Sequence, residues 1–429
     1  MHLSPILAGI MTERPRARFI PLPAAFVALV VLNQSIAAAE TVPAFQFQFI
    51  EKPGPHSVGL KVIDQYDQSR AFQTASDTQE SPSAESSRPL QTLVWYPAQT
   101  SSAQRMTVGD YAELIRTETN FDKPIYHGKS QSFVQDYTHG TTALVTWAIR
   151  DAAAQDGHFP VAIYAPSLNA PATENIELCE YLASNGFGVI ATPSMGAASR
   201  NMTIDITGAN AEAQDISFLI DFARTLPDAD VSKVAAIGYS WGGMAALFAS
   251  ARDPRIDALV SLDGSFRYSP GTAQESGDVH PDRMKIPLLV FSRAEETLES
   301  WEALRQGKDQ GATAPNVLNQ WTHGDLLHLH LLAVSHIQFS SLYQRSERFR
   351  REALQFSPAD YSLEDGAISY NWMARYTLEF LNAYLKQDAA AVLFLKRTPA
   401  ENGVLKHFIA ANFRPASAKS AGSVAPTAK

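Results

Sequence analysis

The sequence predicts an α/β protein whose mainly parallel sheet is covered by helices on both faces. From Pro160 onward, short apolar runs alternate with amphipathic helical patterns, and this alternation is typical of parallel strands joined by helices. The chain has 429 residues, of which 45% are hydrophobic and 18% are charged. That balance is typical of a globular protein with a large core, and it argues against fibrous and disordered classes.

Each predicted element has a local signal. A helical pattern around Cys179 ends at the stop signal Asn185-Gly186, and a second pattern between 209 and 225 ends before a proline. A third helix follows the run KVAAIGYS, and a fourth lies between 374 and 385. Six apolar runs have the length and composition of buried strands, namely PVAIYAPS, FGVIATPS, KVAAIGYS, DALVSLDG, IPLLVFS and HLHLLAVSH.

The residues before Pro160 depart from this alternation. Two strand-like runs around a polar, Ser-rich connector at 69–89 predict a hairpin at a sheet edge, with the connector as a flexible loop. Residues 99–156 are predicted to be a helical insertion, either a lid over a site or a packing element. The α/β domain is expected to span 40–412, and the low-complexity tail 413–429 is expected to be disordered.

Residues 1–39 have the pattern of an export signal. A basic stretch precedes an apolar run from Ile20 to Leu32, and Ala37 and Ala39 fit the small-residue positions of a cleavage site. The apolar run is short for a membrane span. The protein is therefore expected to be periplasmic or secreted, with no stable membrane span after cleavage. An uncleaved anchor or a buried helix is the alternative.

Charge and cysteine usage limit the partners and the chemistry. The formal net charge of −9 at pH 7 argues against nucleic acid or an anionic membrane surface as the main partner. Cys179 is the only cysteine in the sequence, so no internal disulfide forms and stability must come from the core. Cys179 shares the apolar face of its predicted helix, which indicates a core residue rather than a reactive thiol.

The stretch GYSWG, from Gly238 to Gly242, predicts a nucleophile at Ser240. A serine hydroxyl attacks only when a base takes its proton and the backbone presents it clear of its neighbours. A strand-to-helix turn does this when glycines stand where side chains would collide in the bend. The amide of Trp241 would lie at the helix start and face developing negative charge. A second oxyanion donor is expected from the loop YAPSLNA, with Leu168 as the best candidate.

The acid and the base of such a site must follow the nucleophile in chain order. Asp263 ends the next predicted strand, and Glu296, beside Glu295, ends the strand after it. From the residues alone, the two strand ends are equal candidates for the acid. His336 lies just past the last strand-like run, where a base is needed, and His323 is the second choice.

His328 and His330 form a separate feature. They lie two apart on a predicted strand and would face the same side of the sheet. Such a pair could bind a metal ion, but no carboxylate or histidine cluster of ligand spacing accompanies it in the sequence. A hydrogen-bonded pair is the favoured interpretation, and neither a metal nor a cofactor is expected.

Several of these segments together resemble a known family. The likeness spans roughly Gly54 to Phe408, apart from the insertion, and it lies in the combination of motifs rather than in any one of them. The segments RPLQTLVWYPA, PVAIYAPSLNA, LASNGFGVIATPS, GYSWGG, LVSLDGS and VSHIQFSS resemble the α/β-hydrolases of the platelet-activating-factor acetylhydrolase and dienelactone-hydrolase-like group. The resemblance implies the α/β-hydrolase fold, with the helical insertion added to it.

The resemblance also implies roles for individual residues. In the acetylhydrolase group the acid follows the strand after the nucleophile helix, which selects Asp263 over Glu296. His336 matches the base of the group, and Leu168 and Trp241 match its oxyanion amides.

One departure from the group concerns the oxyanion loop. The group usually has His-Gly-Leu-Gly where this chain has Pro166-Ser167-Leu168-Asn169, and the loss of the glycines is expected to reshape the acyl pocket.

The expected function is that of an exported serine hydrolase, which cleaves small-molecule or lipid-like carboxylic esters through an acyl-enzyme. An acyltransferase with the same triad and a non-catalytic binding protein are the alternatives.

Overall fold

The alternating apolar runs form strands of one large sheet. The computed structural model describes residues 45–73, 85–121, 140–293, 316–356, 360–405 and 408–417, and within them the sheet has eleven strands. All of these residues belong to the second of two units, Val42–Lys429. The strands are β1 (Ser57–Gln73), β2 (Glu85–Ala98), β3 (Arg105–Thr107), β4 (Val145–Arg150), β5 (Phe159–Ala165), β6 (Gly188–Ala191), β7 (Ala229–Tyr239), β8 (Ile256–Leu262), β9 (Leu288–Arg293), β10 (Leu326–Leu331) and β11 (Ile409–Arg414).

The strand order across the sheet is β11-β10-β9-β8-β7-β5-β6-β2-β1-β4-β3. The central strands from β10 to β6 pair in parallel, and β1 pairs with β4 in parallel as well. The β1–β2, β2–β6, β3–β4 and β10–β11 pairs are antiparallel. The predicted α/β fold with a mainly parallel sheet is confirmed.

Helices cover both faces of this sheet because both faces of its central strands are apolar. On β5, Ala162 and Tyr164 pack into one core with the helices at 176–184 and 363–385, whereas Val161 and Ile163 pack into a second core with the helices at 206–223 and 241–252. The helices are α1 (Val108–Leu114), α2 (Ile176–Ser184), α3 (Ile206–Ala223), α4 (Trp241–Arg252), α5 (Pro270–Glu275), α6 (Val317–Gln320), α7 (Ser341–Arg345), α8 (Glu347–Phe356), α9 (Leu363–Leu385) and α10 (Ala389–Lys396), with 3₁₀ turns at Ile115–Thr117, Ser265–Arg267, Pro281–Arg283 and His336–Phe339.

The predicted hairpin forms, but two of its details were wrong. β1 and β2 do not lie at the sheet edge, because β4 and β3 pair beyond β1. The strands also run into the connector predicted at 69–89, leaving only 74–84 outside the described residues. The polar composition is typical of a loop, yet buried Arg88 donates to both oxygens of Asp215 at 2.8 and 2.5 Å and fixes this end of the strand.

The predicted helical insertion at 99–156 is wrong for its described C-terminal part, 140–156, whereas 122–139 lie outside the described residues. Its first half contains helix α1, whose start is fixed by reciprocal hydrogen bonds between Thr107 and Asp110. The stretch TALVTWAIRDAAA instead contains strand β4, which is rich in β-branched and aromatic residues. The carboxylate of Glu180 accepts hydrogen bonds from the amides of Trp147 and Ala148 at 2.7 and 3.1 Å. The described part of the segment thus extends the sheet.

The predicted boundary between domain and tail also moves. β11 pairs with β10 through Arg414, and the amide of Ser417 donates to Thr322 O at 2.8 Å. The domain therefore extends past 412, and residues 413–417 are ordered by strand pairing and backbone hydrogen bonds rather than disordered. The export signal predicted at 1–39 and the rest of the tail, 418–429, lie outside the described residues.

Cys179 lies buried on α2, as the helical pattern predicts. Burial raises the pKa of its thiol well above the usual value, which makes the nucleophilic thiolate scarce at neutral pH. In the part of the chain that the structure describes, no helix is both long enough and apolar enough to cross a membrane.

Candidate active site

Ser240 lies in the turn between β7 and α4 with φ 53° and ψ −116°. This φ falls in the left-handed region, which non-glycine residues adopt only where their surroundings enforce it. The amide of Ser240 donates to Leu262 O at 3.0 Å, and the amide of Ser265 donates to Ser240 O at 2.7 Å. These two hydrogen bonds fix the serine at the carboxyl end of β8.

The glycines of this turn are there because backbone occupies the space of a side chain. A Cβ at Gly238 would lie 2.2 Å from Gly242 O. A Cβ at Gly242 would lie 2.2 Å from Ala165 O and 2.4 Å from Pro166 O. The predicted collision is thus present, and Gly242 also lets the turn pack directly against the loop that follows β5.

The structure brings Ser240, His336 and Asp263 together although they are far apart in the chain. His336 Nε2 lies 2.9 Å from Ser240 Oγ, and His336 Nδ1 lies 2.5 Å from Asp263 Oδ2. Asp263 directly follows β8 and is fully buried, whereas the His336 side chain is 27% exposed. The arrangement has the distances that a serine, a general base and an orienting acid require.

Asp263 is held ionised by three neighbours. Burial alone would raise the pKa of Asp263, but the hydrogen bond from His336, the charge of Arg293 and the hydroxyl of Tyr268 bring that pKa down to about 2. The Tyr268 hydroxyl donates to Oδ1, the oxygen that His336 does not use, and Arg293 Nε lies 3.9 Å from Oδ2. A charged carboxylate at this position can stabilise an imidazolium on His336.

Tyr239, which precedes Ser240, is hydrogen-bonded to the backbone of His336. From the sequence we interpret Tyr239 as a packing residue of the turn, and the side chain is indeed buried. Its hydroxyl also donates to His336 O at 2.8 Å, and the two rings lie 5.3 Å apart. Tyr239 thereby links β7, which ends just before Ser240, to the loop that carries His336.

The other sequence candidates do not join this cluster. His323, the second choice for the base, is exposed and contacts its neighbour Thr322 at 3.1 Å. Glu296, the rival acid, lies outside the described residues.

His328 and His330 form the hydrogen-bonded pair expected from the sequence. Both face Ser292, whose Oγ lies 2.9 Å from His328 Nε2 and 3.1 Å from His330 Nδ1. Burial and the neighbouring His330 lower the pKa of His328 well below its usual value. Across the described ranges, no group of three or more His, Cys, Asp or Glu side chains is arranged to hold a metal ion.

The loop after β5 reaches its conformation without the glycines of the related group. Asn169 has φ 58°, and asparagine tolerates this left-handed region better than most residues. Its Oδ1 accepts a hydrogen bond from the amide of Met202 at 2.7 Å, and the guanidinium of Arg200 donates to Asn169 O at 3.1 Å. Leu168, the candidate oxyanion donor, precedes Asn169 in this loop and is half-buried.

Sequence reasoning missed the dipeptide Glu174-Asn175, which lies just before α2. Glu174 is fully buried, and its carboxylate accepts hydrogen bonds from the Ser167 amide at 2.8 Å and from the Tyr164 hydroxyl at 3.0 Å. The Asn175 side chain accepts a hydrogen bond from the Ser341 amide at 2.8 Å. A carboxylate between two apolar segments was the available signal, but at the start of a helix it is equally typical of a solvent-exposed residue.

Comparisons with known proteins place this geometry in context. Residues 168–298 match the family model described as the dienelactone hydrolase family, a range that includes Leu168, Ser240 and Asp263 and ends before His336. No curated protein sequence matches the chain significantly.

Among solved structures, the chain is similar to a ferulic acid esterase from Streptomyces cinnamoneus, with a TM-score of 0.60 and 18% sequence identity. The superposition covers 85% of this chain and 98% of the esterase. At this identity the likeness concerns the fold. The chain thus has the α/β-hydrolase fold. The match to the family model confirms its resemblance to the dienelactone-hydrolase-like group and supports an ester hydrolase.

Proposed function

We propose that the protein is an exported serine hydrolase that cleaves carboxylic esters through an acyl-enzyme. The observation that carries the proposal is the continuous contact from Ser240 Oγ to His336 Nε2 at 2.9 Å and from His336 Nδ1 to Asp263 Oδ2 at 2.5 Å. A serine hydroxyl needs such a base and such an orienting acid to become a nucleophile.

In the acylation half of the reaction, His336 Nε2 accepts the proton of Ser240 as Oγ bonds to the ester carbonyl carbon. The carbonyl oxygen becomes an oxyanion, and the amides of Trp241 and Leu168 donate hydrogen bonds to it. The carbon–oxygen bond to the leaving alcohol then breaks, and His336 gives its proton to that alcohol. The acyl group remains on Ser240.

Deacylation repeats these steps with water as the nucleophile. His336 takes a proton from water, whose oxygen bonds to the acyl carbon, and then returns the proton to Ser240 Oγ as the acid product leaves. Asp263, ionised because its pKa is about 2, stabilises the imidazolium in both halves.

We also propose where the protein acts and which class of ester it cleaves. The pattern of residues 1–39 supports export to the periplasm or the medium. The His336 side chain, which is 27% exposed, supports a substrate that approaches from solvent, and we assign a small-molecule or lipid-like ester. The related structure bears the name of a ferulic acid esterase, which makes aryl esters a sensible first class to assay alongside short alkyl esters.

The first prediction concerns Ser240→Ala. Purified wild-type protein is expected to hydrolyse short p-nitrophenyl esters, and the substitution is expected to reduce kcat by about 10⁴-fold or more, because no other group forms the acyl-enzyme. The measurement is initial-rate kinetics monitored by p-nitrophenolate release.

Ser250→Ala is the matched control. Ser250 lies on the same helix α4 but outside the contact chain, and its loss is expected to leave kcat within about threefold of the wild-type value. Equal hydrolysis by the wild-type protein and by Ser240→Ala would remove Ser240 from the mechanism.

A further inference from the structure

Glu174 connects the candidate oxyanion loop to the protein interior. Its Oε2 accepts hydrogen bonds from the backbone amide of Ser167 at 2.8 Å and from the Tyr164 hydroxyl at 3.0 Å. Its Oε1 accepts a hydrogen bond from the Ser167 hydroxyl. Ser167 directly precedes Leu168, so these contacts fix the peptide just before the proposed oxyanion donor.

The same dipeptide also holds the segment that follows the base. Glu174 O accepts a hydrogen bond from the Leu342 amide at 3.1 Å. Asn175 donates through Nδ2 to Phe339 O at 3.2 Å and accepts at Oδ1 from the Ser341 amide at 2.8 Å. Since Phe339 ends the 3₁₀ turn that begins at His336, one short segment joins the loop after β5 to the loop after β10.

A second buried glutamate, Glu180 on α2, serves as a comparison for Glu174. Glu180 is also buried, and its carboxylate accepts hydrogen bonds from the Tyr111 hydroxyl and from the amides of Trp147 and Ala148. Those partners belong to α1 and β4, far along the sheet from the nucleophile strand β7. Glu174 differs from Glu180 because its partners include the loop beside the nucleophile turn.

We propose that Glu174 is a positioning residue that fixes the oxyanion loop, 166–169, through Ser167, while the adjoining Asn175 fixes the segment after β10 that carries His336. The inference rests on the proposed function, because the loop matters for catalysis only if the amide of Leu168 stabilises an oxyanion. A donor that is free to move loses most of its value, since stabilisation of the transition state requires a preorganised position.

The action of Glu174 does not depend on its charge. Burial raises the pKa of Glu174 to about 7, even though Ser167, Tyr164 and Tyr343 donate hydrogen bonds that lower it. Oε2 can accept from the Ser167 amide in either protonation state. A glutamine with its carbonyl oxygen at the Oε2 position keeps those contacts, and its NH₂ group can donate to the Ser167 hydroxyl.

The test compares Glu174→Ala, Glu174→Gln and Glu180→Ala with a short p-nitrophenyl ester as the probe. Glu174→Ala is expected to lower kcat by about 10²-fold with KM within about threefold, as expected when an oxyanion donor is misplaced. Glu174→Gln is expected to retain kcat within about fivefold. Glu180→Ala is expected to lower the melting temperature, measured by circular dichroism. Its kcat per folded molecule is expected to stay at the wild-type value.

Ser167→Ala keeps the proposal testable if Glu174→Ala does not fold. It removes the hydroxyl that contacts Oε1 and leaves the backbone amide in place, and it is expected to lower kcat by about tenfold at unchanged KM. An unchanged kcat in Ser167→Ala would then overturn the proposal.

Two failures are distinguishable. Hydrolysis that persists in Ser240→Ala contradicts the proposed function, and this inference falls with it. Wild-type kcat in folded Glu174→Ala, in an enzyme whose hydrolysis depends on Ser240, contradicts this inference alone. Equal losses of kcat in Glu174→Ala and Glu180→Ala would also overturn it, because they would reduce Glu174 to a structural residue.

Discussion

Replacing Asp263 with asparagine is expected to lower kcat for ester hydrolysis by about 10⁴-fold while leaving the fold intact. The reason lies in the two oxygens of the carboxylate. The Tyr268 hydroxyl donates to Oδ1, so the single oxygen of an asparagine is kept on that side. Its NH₂ group then faces His336 Nδ1, which must accept a hydrogen bond. The proton of the imidazole moves to Nε2, which can no longer accept the proton of Ser240.

Glu296→Gln is the matched control for this substitution. From the residues alone Glu296 and Asp263 were equal candidates for the acid, and the contact at 2.5 Å between Asp263 and His336 favours Asp263. We expect kcat of Glu296→Gln to remain within about threefold of the wild-type value. Full activity in Asp263→Asn together with a large loss in Glu296→Gln would assign the acid to the other strand end.

Gly242→Ala is expected to lower both the stability of the fold and the activity. The added Cβ would lie 2.2 Å from Ala165 O and 2.4 Å from Pro166 O, and backbone atoms cannot rotate away as a flexible side chain can. Either the turn or the oxyanion loop must move. We expect a loss of about 3 kcal/mol in the free energy of unfolding and a loss of kcat of about 10²-fold or more.

Gly271→Ala is the control for Gly242→Ala. Gly271 lies in α5, and a Cβ there would meet no heavy atom within 4 Å. It is expected to leave both the melting temperature and kcat unchanged or slightly improved, because alanine favours a helix over glycine. Thermal unfolding by circular dichroism and ester kinetics measure both effects. Equal behaviour of the two variants would show that the contact at Gly242 is not a constraint.

The central sheet and the nucleophile turn could be predicted because their signals are local. Buried parallel strands appear as short apolar runs, and the turn at Ser240 needs glycines at fixed positions. The sequence wrongly predicts a helix around β4 because a short apolar run with alanines fits both patterns. Its pairing with β1 and its contact with Glu180 are long-range, and no window of sequence contains them.

The candidate site was predictable in its residue types but not in its support. Chain order limits where an acid and a base can stand. The choice between Asp263 and Glu296 requires either the family resemblance or the distance from Asp263 to His336 in the folded chain. The contacts of Tyr239 with His336 and of Glu174 O with the Leu342 amide join segments whose proximity only the folded chain creates. Asn169 stands where the related group has a glycine, and asparagine tolerates the left-handed φ that it adopts there. Composition alone does not signal such a replacement.

Activation of Ser240 by His336 is the central claim, and labelling with a fluorophosphonate probe followed by peptide mass spectrometry tests it most directly. The probe bonds to a serine oxygen only when a base has made that oxygen nucleophilic. We predict that wild-type protein carries the label on Ser240. In His336→Ala we expect the labelling rate to fall by about 10³-fold or more. Labelling of another residue, or equal labelling rates in wild-type protein and His336→Ala, would contradict the claim.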